Sequence, residues 1–256
     1  MLGIGALGRI EAAAPAPGIH AHNDYEQARP LHDALEVRAA SIEADVHLVD
    51  GRLLVAHDRE DVRPERTLES LYLEPLRARI REAGGTVYPG DDRPVILLVD
   101  IKSEAGPTLR AVEAVLERYA GIVTRFEAGR IHPGAVTVIV SGNRDGPALE
   151  RPGRRLAAMD GRLADLGQGS AVASIPLVSD NWARHFAWRG EGAMPDEERA
   201  RLRALAGQAR AEERLLRFWN TPDQPPLWRE LEAAGVGLIG TDNLPALRRH
   251  LDRPGG

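Results

Sequence analysis

The sequence predicts an α/β fold, a single-domain (β/α)8 TIM-type barrel over residues 18–256. Three observations carry this reading. Strand-like and helix-like stretches alternate along the chain, which implies a parallel sheet. Eight main strands centre near residues 20, 44, 98, 138, 157, 176, 218 and 238. In a chain of 256 residues, eight such strands favour a closed barrel over an open doubly wound sheet. No G-x-G-x-x-G or P-loop follows any strand, so a nucleotide cofactor has no support.

The elements follow in order. Gly18–Asn23 reads as a short strand and Pro30–Ala40 as a helix with Leu31, Ala34, Leu35 and Val37 on or near one face. Ser41–Leu48 is a strand, with a shorter one at Arg52–Ala56 after the Asp50-Gly51 turn. Thr67–Ala83 reads as helix. Val95–Ile101 is a nearly continuous apolar run, as a parallel strand buried on both faces should be. Pro107–Tyr119 opens with proline, a favoured first-turn residue. Strands are predicted at Ala135–Val140, Leu156–Met159, Ser174–Val178, Leu216–Trp219 and Val236–Gly240. Helices are predicted at Asp196–Arg214, begun by acidic residues, and at Pro226–Ala234 and Pro245–Leu251. Arg184 to Met194 has few structural cues and reads as a lid loop.

Composition narrows the classes. Hydrophobic residues make up 43% and charged residues 28%, as in an ordinary soluble globular protein. A net charge of -5 argues against a general nucleic-acid binder. With no cysteine, neither disulfides nor thiolate zinc sites are possible. No apolar run reaches the roughly 18 residues of a membrane span, and no protein partner is implied. Residues 1–17 read as a flexible tail or the remnant of a secretory signal, and the second alternative would place the protein outside the cytoplasm. The 33 basic residues include a single lysine, Lys102. A surviving lysine in so arginine-rich a chain suggests that its compact charge is needed.

Polar residues gather where a barrel keeps its chemistry, at the C-terminal ends of strands. The first strand ends in His20-Ala-His22-Asn23-Asp24, the second carries Glu43-Ala-Asp45-Val-His47, and His57-Asp58 and Asp100-Ile-Lys102 follow. Asn143, Asn181, Asn220 and Asn243 also lie at such ends. Glu43 and Asp45, two apart on a strand, point to one face with Cα atoms about 6.5–7 Å apart. Two carboxylates facing a barrel mouth repel, and a divalent cation removes that cost. Asp100 supplies a third, and three carboxylates suit Mg²⁺ or Ca²⁺ better than zinc. The alternative is that Glu43 and Asp45 pair with arginines. His22 and His57 sit at neighbouring strand ends as an acid/base pair, and Lys102 would neutralise a phosphate oxygen. His47 reads as a satisfied interior histidine. Candidate substrate contacts are Asn23, Asn143, Trp219 and Asn220.

These residues resemble a known family. His20-Ala-His-Asn-Asp-Tyr25, Ser41-Ile-Glu-Ala-Asp-Val-His47, Leu54-Val-Ala-His-Asp58 and Leu98-Val-Asp-Ile-Lys102 are similar to the glycerophosphodiester phosphodiesterase-like and phosphatidylinositol-phospholipase-C-like barrel superfamily. The chain looks closest to the branch of altered inheritance of mitochondria proteins. Thr137-Val-Ile-Val-Ser-Gly-Asn143, Phe218-Trp-Asn-Thr-Pro222 and Gly240-Thr-Asp-Asn243 also resemble that branch. The resemblance implies metal carboxylates at Glu43, Asp45 and Asp100, catalytic histidines at His22 and His57, and a phosphate-contacting lysine at Lys102. It implies hydrolysis or cyclisation of a small-molecule or lipid phosphodiester. Typical glycerophosphodiesterases follow the first histidine with arginine and glycine. Here Asn23-Asp24 stand instead, and one phosphate contact is removed.

Two other classes stay open. His20-Ala-His22 with Asp242 resembles the metal site of amidohydrolase barrels, although Asp160 and Asp180 stand where that class places histidines. A non-catalytic barrel that binds a phosphorylated ligand is the third.

Overall fold

A computed structural model describes residues 17–150 and 153–253. The expected N-terminal tail, apart from Pro17, lies outside the described residues. Eight strands form a closed parallel barrel: β1 (Gly18–Ala21), β2 (Ser41–Val49), β4 (Val95–Ile101), β7 (Val136–Gly142), β8 (Ala157–Gly161), β9 (Leu177–Asn181), β10 (Leu215–Trp219) and β11 (Leu238–Thr241). Each pairs in parallel with the next, and β1 pairs with both β2 and β11 to close the ring. β3 (Arg52–Val55) runs antiparallel to β2 across the Asp50-Gly51 turn, and β5 (Arg125–Glu127) with β6 (Arg130–His132) makes a separate hairpin. The helices are α1 (His32–Glu36), α2 (Glu74–Glu82), α3 (Ala105–Glu117), α4 (Gly146–Glu150), α5 (Trp182–His185), α6 (Asp196–Ala211), α7 (Pro225–Ala234) and α8 (Leu244–Leu251). None of the described helices is long and apolar enough to cross a membrane.

The period of two along each strand sorts its residues between two cores. On β4, Val95, Leu97, Val99 and Ile101 pack with the outer hydrophobic core. The alternate residues Ile96 and Leu98 join Ile139, Leu177 and Leu238 in a small separate cluster, the dry floor of the barrel. One step further along the same inward-facing rows the chemistry changes. Glu43, Asp45, Asp100, Ser141, Asp160, Ser179 and Arg217 replace the aliphatic residues. The barrel is therefore closed by hydrocarbon below and polar at its C-terminal mouth. In-register pairing brings Asp45 beside Asp100 and Asp100 beside Ser141.

The expected elements are present with local differences. The first helix is cut to α1 because Leu31 and Arg38 adopt positive φ at either end. The second predicted helix opens with a π-turn, Glu69–Leu73, before α2. Pro75 there has no N–H to give to the preceding turn, which accounts for the looser winding. The strand expected at Ser174–Val178 begins instead at Leu177, because Ser174 closes a turn onto Ala171 and Pro176 offers only its carbonyl, to Leu215.

The segment 184–194 is not a free lid. Phe186, Trp188 and Met194 are buried, and the Trp182 indole donates to the Trp188 carbonyl (2.9 Å). Trp182 stacks on Phe186 at 4.1 Å and meets Phe218 edge-on. Trp182 and Trp188 are thus packing residues, whereas Trp219 faces a cavity.

Candidate active site

A cavity of about 470 Å³ opens at the barrel mouth. His22, Asn23, Glu43, His57, Asp100, Lys102, Asn143 and Trp219 all line it. Asp45 lies just beneath, fully buried. A second cavity of about 240 Å³ shares His22 and Trp219 and adds Asn220 and Asp242. The fold thus brings every candidate from the sequence to one mouth. Asn220 alone faces only the smaller cavity.

The three carboxylates offer oxygens within 4.8 Å of one another. Their partners differ. Glu43 Oε2 accepts from His20 Nε2 (2.8 Å) and Arg217 Nη2 (3.1 Å). Burial alone would raise its pKa, but the Arg217 guanidinium and the His20 hydrogen bond outweigh that and hold it well below the usual carboxylate range. The expected alternative of an arginine partner therefore holds for Glu43. Asp45 Oδ2 accepts from the Tyr25 hydroxyl (2.8 Å) and lies 3.0 Å from Lys102 Nζ. Lys102 also stands 3.1 Å from Asp100 Oδ1. Burial and the charge of Glu43 push Asp45 up to about 6, although Lys102 works against them. Asp100 is raised too, chiefly by burial.

Does this set fit a divalent cation? Asp45 Oδ1 is buried with no hydrogen-bond partner among the described residues. Burial leaves both Asp45 and Asp100 harder to ionise than usual, and the one ammonium they share does not offset it. A hard cation with oxygen ligands would supply the missing charge, and Glu43, Asp45 and Asp100 offer such ligands. The residues fit the group.

His20, which the sequence leaves without a role, is fully buried. Burial, then the charge of Arg217, depresses its pKa to about 4, so it is neutral. Its Nε2–H donates to Glu43, and its Nδ1 accepts from the Ser41 hydroxyl (2.8 Å). Nε2 is engaged by Glu43 and Nδ1 by Ser41, which leaves neither for the amidohydrolase arrangement.

His22 is half-buried. Its Nδ1–H donates to Asp242 Oδ1 at 2.7 Å, so Nε2 is the atom free to exchange a proton. Burial opposes the charged ring, but the Asp242 hydrogen bond and the field of Glu43 outweigh it, and the pKa is raised. His57, 52% exposed, approaches Asp58 at 3.3 Å. The buried His47 donates from Nε2 to the His57 carbonyl (3.2 Å), which tethers the loop carrying His57. Asn23 takes a left-handed conformation (φ 43°) at the turn after β1. Asn143 donates to the Ser103 carbonyl, and Asn220 to Asn181.

The sequence gives no role to Arg217 or to Tyr25, although Tyr25 closes the His20–Tyr25 motif, and it gives Asp242 a different role. The available signal for Arg217 is a cation between Leu216 and Phe218 on an otherwise apolar strand. No comparable signal marks the His22–Asp242 contact, which joins residues 220 apart.

The profile of the AIM6-like phosphodiesterase domain matches residues 10–150. The chain is 28% identical to the altered inheritance of mitochondria protein 6 homolog of Arthroderma benhamiae, over 91% of this chain and 83% of that protein. It is 27% identical to altered inheritance of mitochondria protein 6 of Eremothecium gossypii, over 90% and 68% respectively. In fold it resembles glycerophosphodiester phosphodiesterases from Agrobacterium tumefaciens (TM-score 0.55, 14% identity, 91% of this chain and 98% of that one) and Parabacteroides distasonis (TM-score 0.53, 15%, 92% and 97%). With more than half its length under that profile, the chain belongs to the AIM6-like phosphodiesterase domain family.

Proposed function

We propose that this protein is a divalent-metal-dependent phosphodiesterase acting through His22 and His57. The observation that carries the reading is one cavity lined by both histidines, by Lys102, and by Glu43 and Asp100, with Asp45 below. Glu43, Asp45 and Asp100 would hold Mg²⁺ or Ca²⁺, which when bound polarises a phosphoryl oxygen. Lys102 faces the same phosphate and stabilises the charge that develops on it. Asp242 holds His22 with Nε2 toward the cavity. The raised pKa of His22 keeps its proton available near neutrality and suits it to protonate the leaving alkoxide. His57 takes a proton from the attacking group, which is water or a hydroxyl of the substrate itself. The second outcome would give a cyclic phosphate.

Domain limits of 18–256, with a tail at 1–17, are part of the proposal, as are substrate contacts at Asn23, Asn143, Trp219 and Asn220. The reading of a ligand-binding barrel without turnover gains nothing from a site that holds both histidines and the lysine together. The test is hydrolysis of bis(p-nitrophenyl) phosphate with EDTA, then with Mg²⁺ or Ca²⁺ restored, beside Asp45→Asn and His57→Ala. Activity lost with the chelator, recovered with metal and absent in both variants is the expected result. Full activity in His57→Ala would refute the assignment.

A further inference from the structure

Three residues, His22, Arg217 and Trp219, line both cavities of the barrel mouth, so they mark the place where the two meet. The cations on the larger lining are Lys102, Arg162 and Arg217. Lys102 is held between Asp45 and Asp100, and Arg162 is paired with the buried Asp160 at 3.0 Å. Arg217 is held less completely. It projects inward from β10, between Leu216 and Phe218 of the outer core, and its side chain is only 4% exposed.

The one side-chain hydrogen bond of Arg217 among the described residues runs from Nη2 to Glu43 Oε2 (3.1 Å). A guanidinium carries five N–H donors in a rigid fork. Nε is buried without a partner. Nη1 has no partner among the described residues either, but it is not among the buried atoms, so it is the edge that meets the cavities. Neutralising Glu43 does not account for this side chain. His20 Nε2 donates to the same Oε2 (2.8 Å), so one donor from Arg217 suffices there. An almost wholly buried guanidinium with most of its donors unused is costly until an acceptor arrives.

The charges agree. The Arg162–Asp160 pair cancels itself. With a divalent ion on Glu43, Asp45 and Asp100, the ion, Lys102 and Arg217 together exceed the three carboxylates by one positive charge, counting His22 as neutral. A phosphodiester monoanion balances that excess, and without Arg217 there would be none to balance.

We infer that Arg217 is a phosphate-binding residue: it holds Glu43 through Nη2 and gives its Nη1 edge to a non-bridging oxygen of the bound phosphodiester. The inference rests on the phosphodiesterase reading for what happens to that diester, but the contact itself does not require turnover. The probe is therefore diethylphosphinate, in which CH2 groups replace both ester oxygens of dimethyl phosphate, so that it keeps the single charge and cannot be hydrolysed. Its affinity is measured by calorimetry at saturating Mg²⁺ in the full chain, in Arg217→Lys and in Arg217→Gln, and Mg²⁺ affinity is measured beside it.

Loss of hydrogen bonds to a charged group predicts that phosphinate affinity falls about tenfold or more in both variants. Lysine keeps a cation for Glu43 but lacks the fork that serves two acceptors at once, so the Mg²⁺ affinity of Arg217→Lys should stay at that of the parent. By keeping that charge, Arg217→Lys also keeps the test valid if Arg217→Gln does not fold. Unchanged phosphinate affinity in either variant, a loss matched by an equal loss of Mg²⁺ affinity in Arg217→Lys, or no binding of the phosphinate by the parent would overturn the assignment. Hydrolysis of bis(p-nitrophenyl) phosphate is assayed in parallel. Phosphinate binding that depends on Arg217, without hydrolysis, counts against the phosphodiesterase reading alone. Hydrolysis with binding that ignores Arg217 counts against this inference alone.

Discussion

Replacing Asp242 with asparagine tests the proton-carrying role of His22. The contact removed is a 2.7 Å charge-assisted hydrogen bond to Nδ1. Asparagine still offers an oxygen there, so the tautomer persists and only the charge is lost. Such bonds are worth ~1.5–3 kcal/mol when shielded from water. Here the Asp242 side chain is 71% exposed and that of His22 38%, so solvent screening brings the figure to about 1 kcal/mol. That corresponds to roughly fivefold in kcat/KM.

His22 acts as an acid in this account, so kcat/KM falls as pH rises through its pKa, and the variant moves that basic limb about half to one unit lower. The assay is a pH profile of kcat/KM at saturating metal. It should use a dialkyl phosphodiester, whose alkoxide needs protonation, beside bis(p-nitrophenyl) phosphate, whose leaving group needs it far less. A limb that moves, with a larger loss on the dialkyl substrate, is expected. An unmoved limb with equal losses on both substrates would refute the assignment. The stability linked to His22 has the matching sign. Its raised pKa contributes stability that is complete below about 6.5 and is lost as pH rises through the folded value.

Three further outcomes follow from the geometry. Gly142 has φ 69° and sits against Asp100, where an added Cβ would overlap Oδ1. Gly142→Ala should cost about 1–3 kcal/mol and weaken metal binding roughly tenfold or more, and unchanged calorimetric affinity would contradict this. Burial pushes Asp24 up to about 6, although the Leu31 N–H (2.5 Å) partly offsets it. Its ionised form is therefore disfavoured in the folded state. Asp24→Asn should stabilise by roughly 1–3 kcal/mol above pH 6 and lose that advantage toward pH 4, and urea unfolding at pH 8 and pH 4 would expose a constant difference. Trp182→Ala removes a fully buried ring stacked on Phe186 and should cost about 3–5 kcal/mol, seen as a large drop in Tm, whereas a near-neutral change would restore the lid reading of 184–194.

The barrel was legible because its cues are local. Val95–Ile101 reads as a buried parallel strand without reference to any other residue, and the inward period places Glu43 and Asp45 on one face. The candidate histidines and Lys102 were legible for the same reason: each stands at a strand end. What did not show is chemistry made by strands far apart in the chain. Arg217 meets Glu43 only because the ring closes through β10, β11 and β1, and Asp242 meets His22 only across the β1–β11 junction. The strand at Leu177 was displaced in the sequence reading because Pro176 and the turn at Ser174 leave an apolar pattern without a ladder partner. Hydrophobic spacing alone also cannot tell a lid from a segment tied down by tryptophans, as at Trp188.

The central claim is that turnover depends on one divalent ion at Glu43, Asp45 and Asp100. The direct measurement is a titration of Mn²⁺, as a spectroscopic substitute for Mg²⁺, into chelator-treated protein, with bound metal and phosphodiester hydrolysis followed together. The account predicts one site per chain, a rate that rises in proportion to occupancy, and loss of both in Asp45→Asn. Hydrolysis without bound metal, or metal binding that Asp45→Asn leaves unchanged, would contradict it.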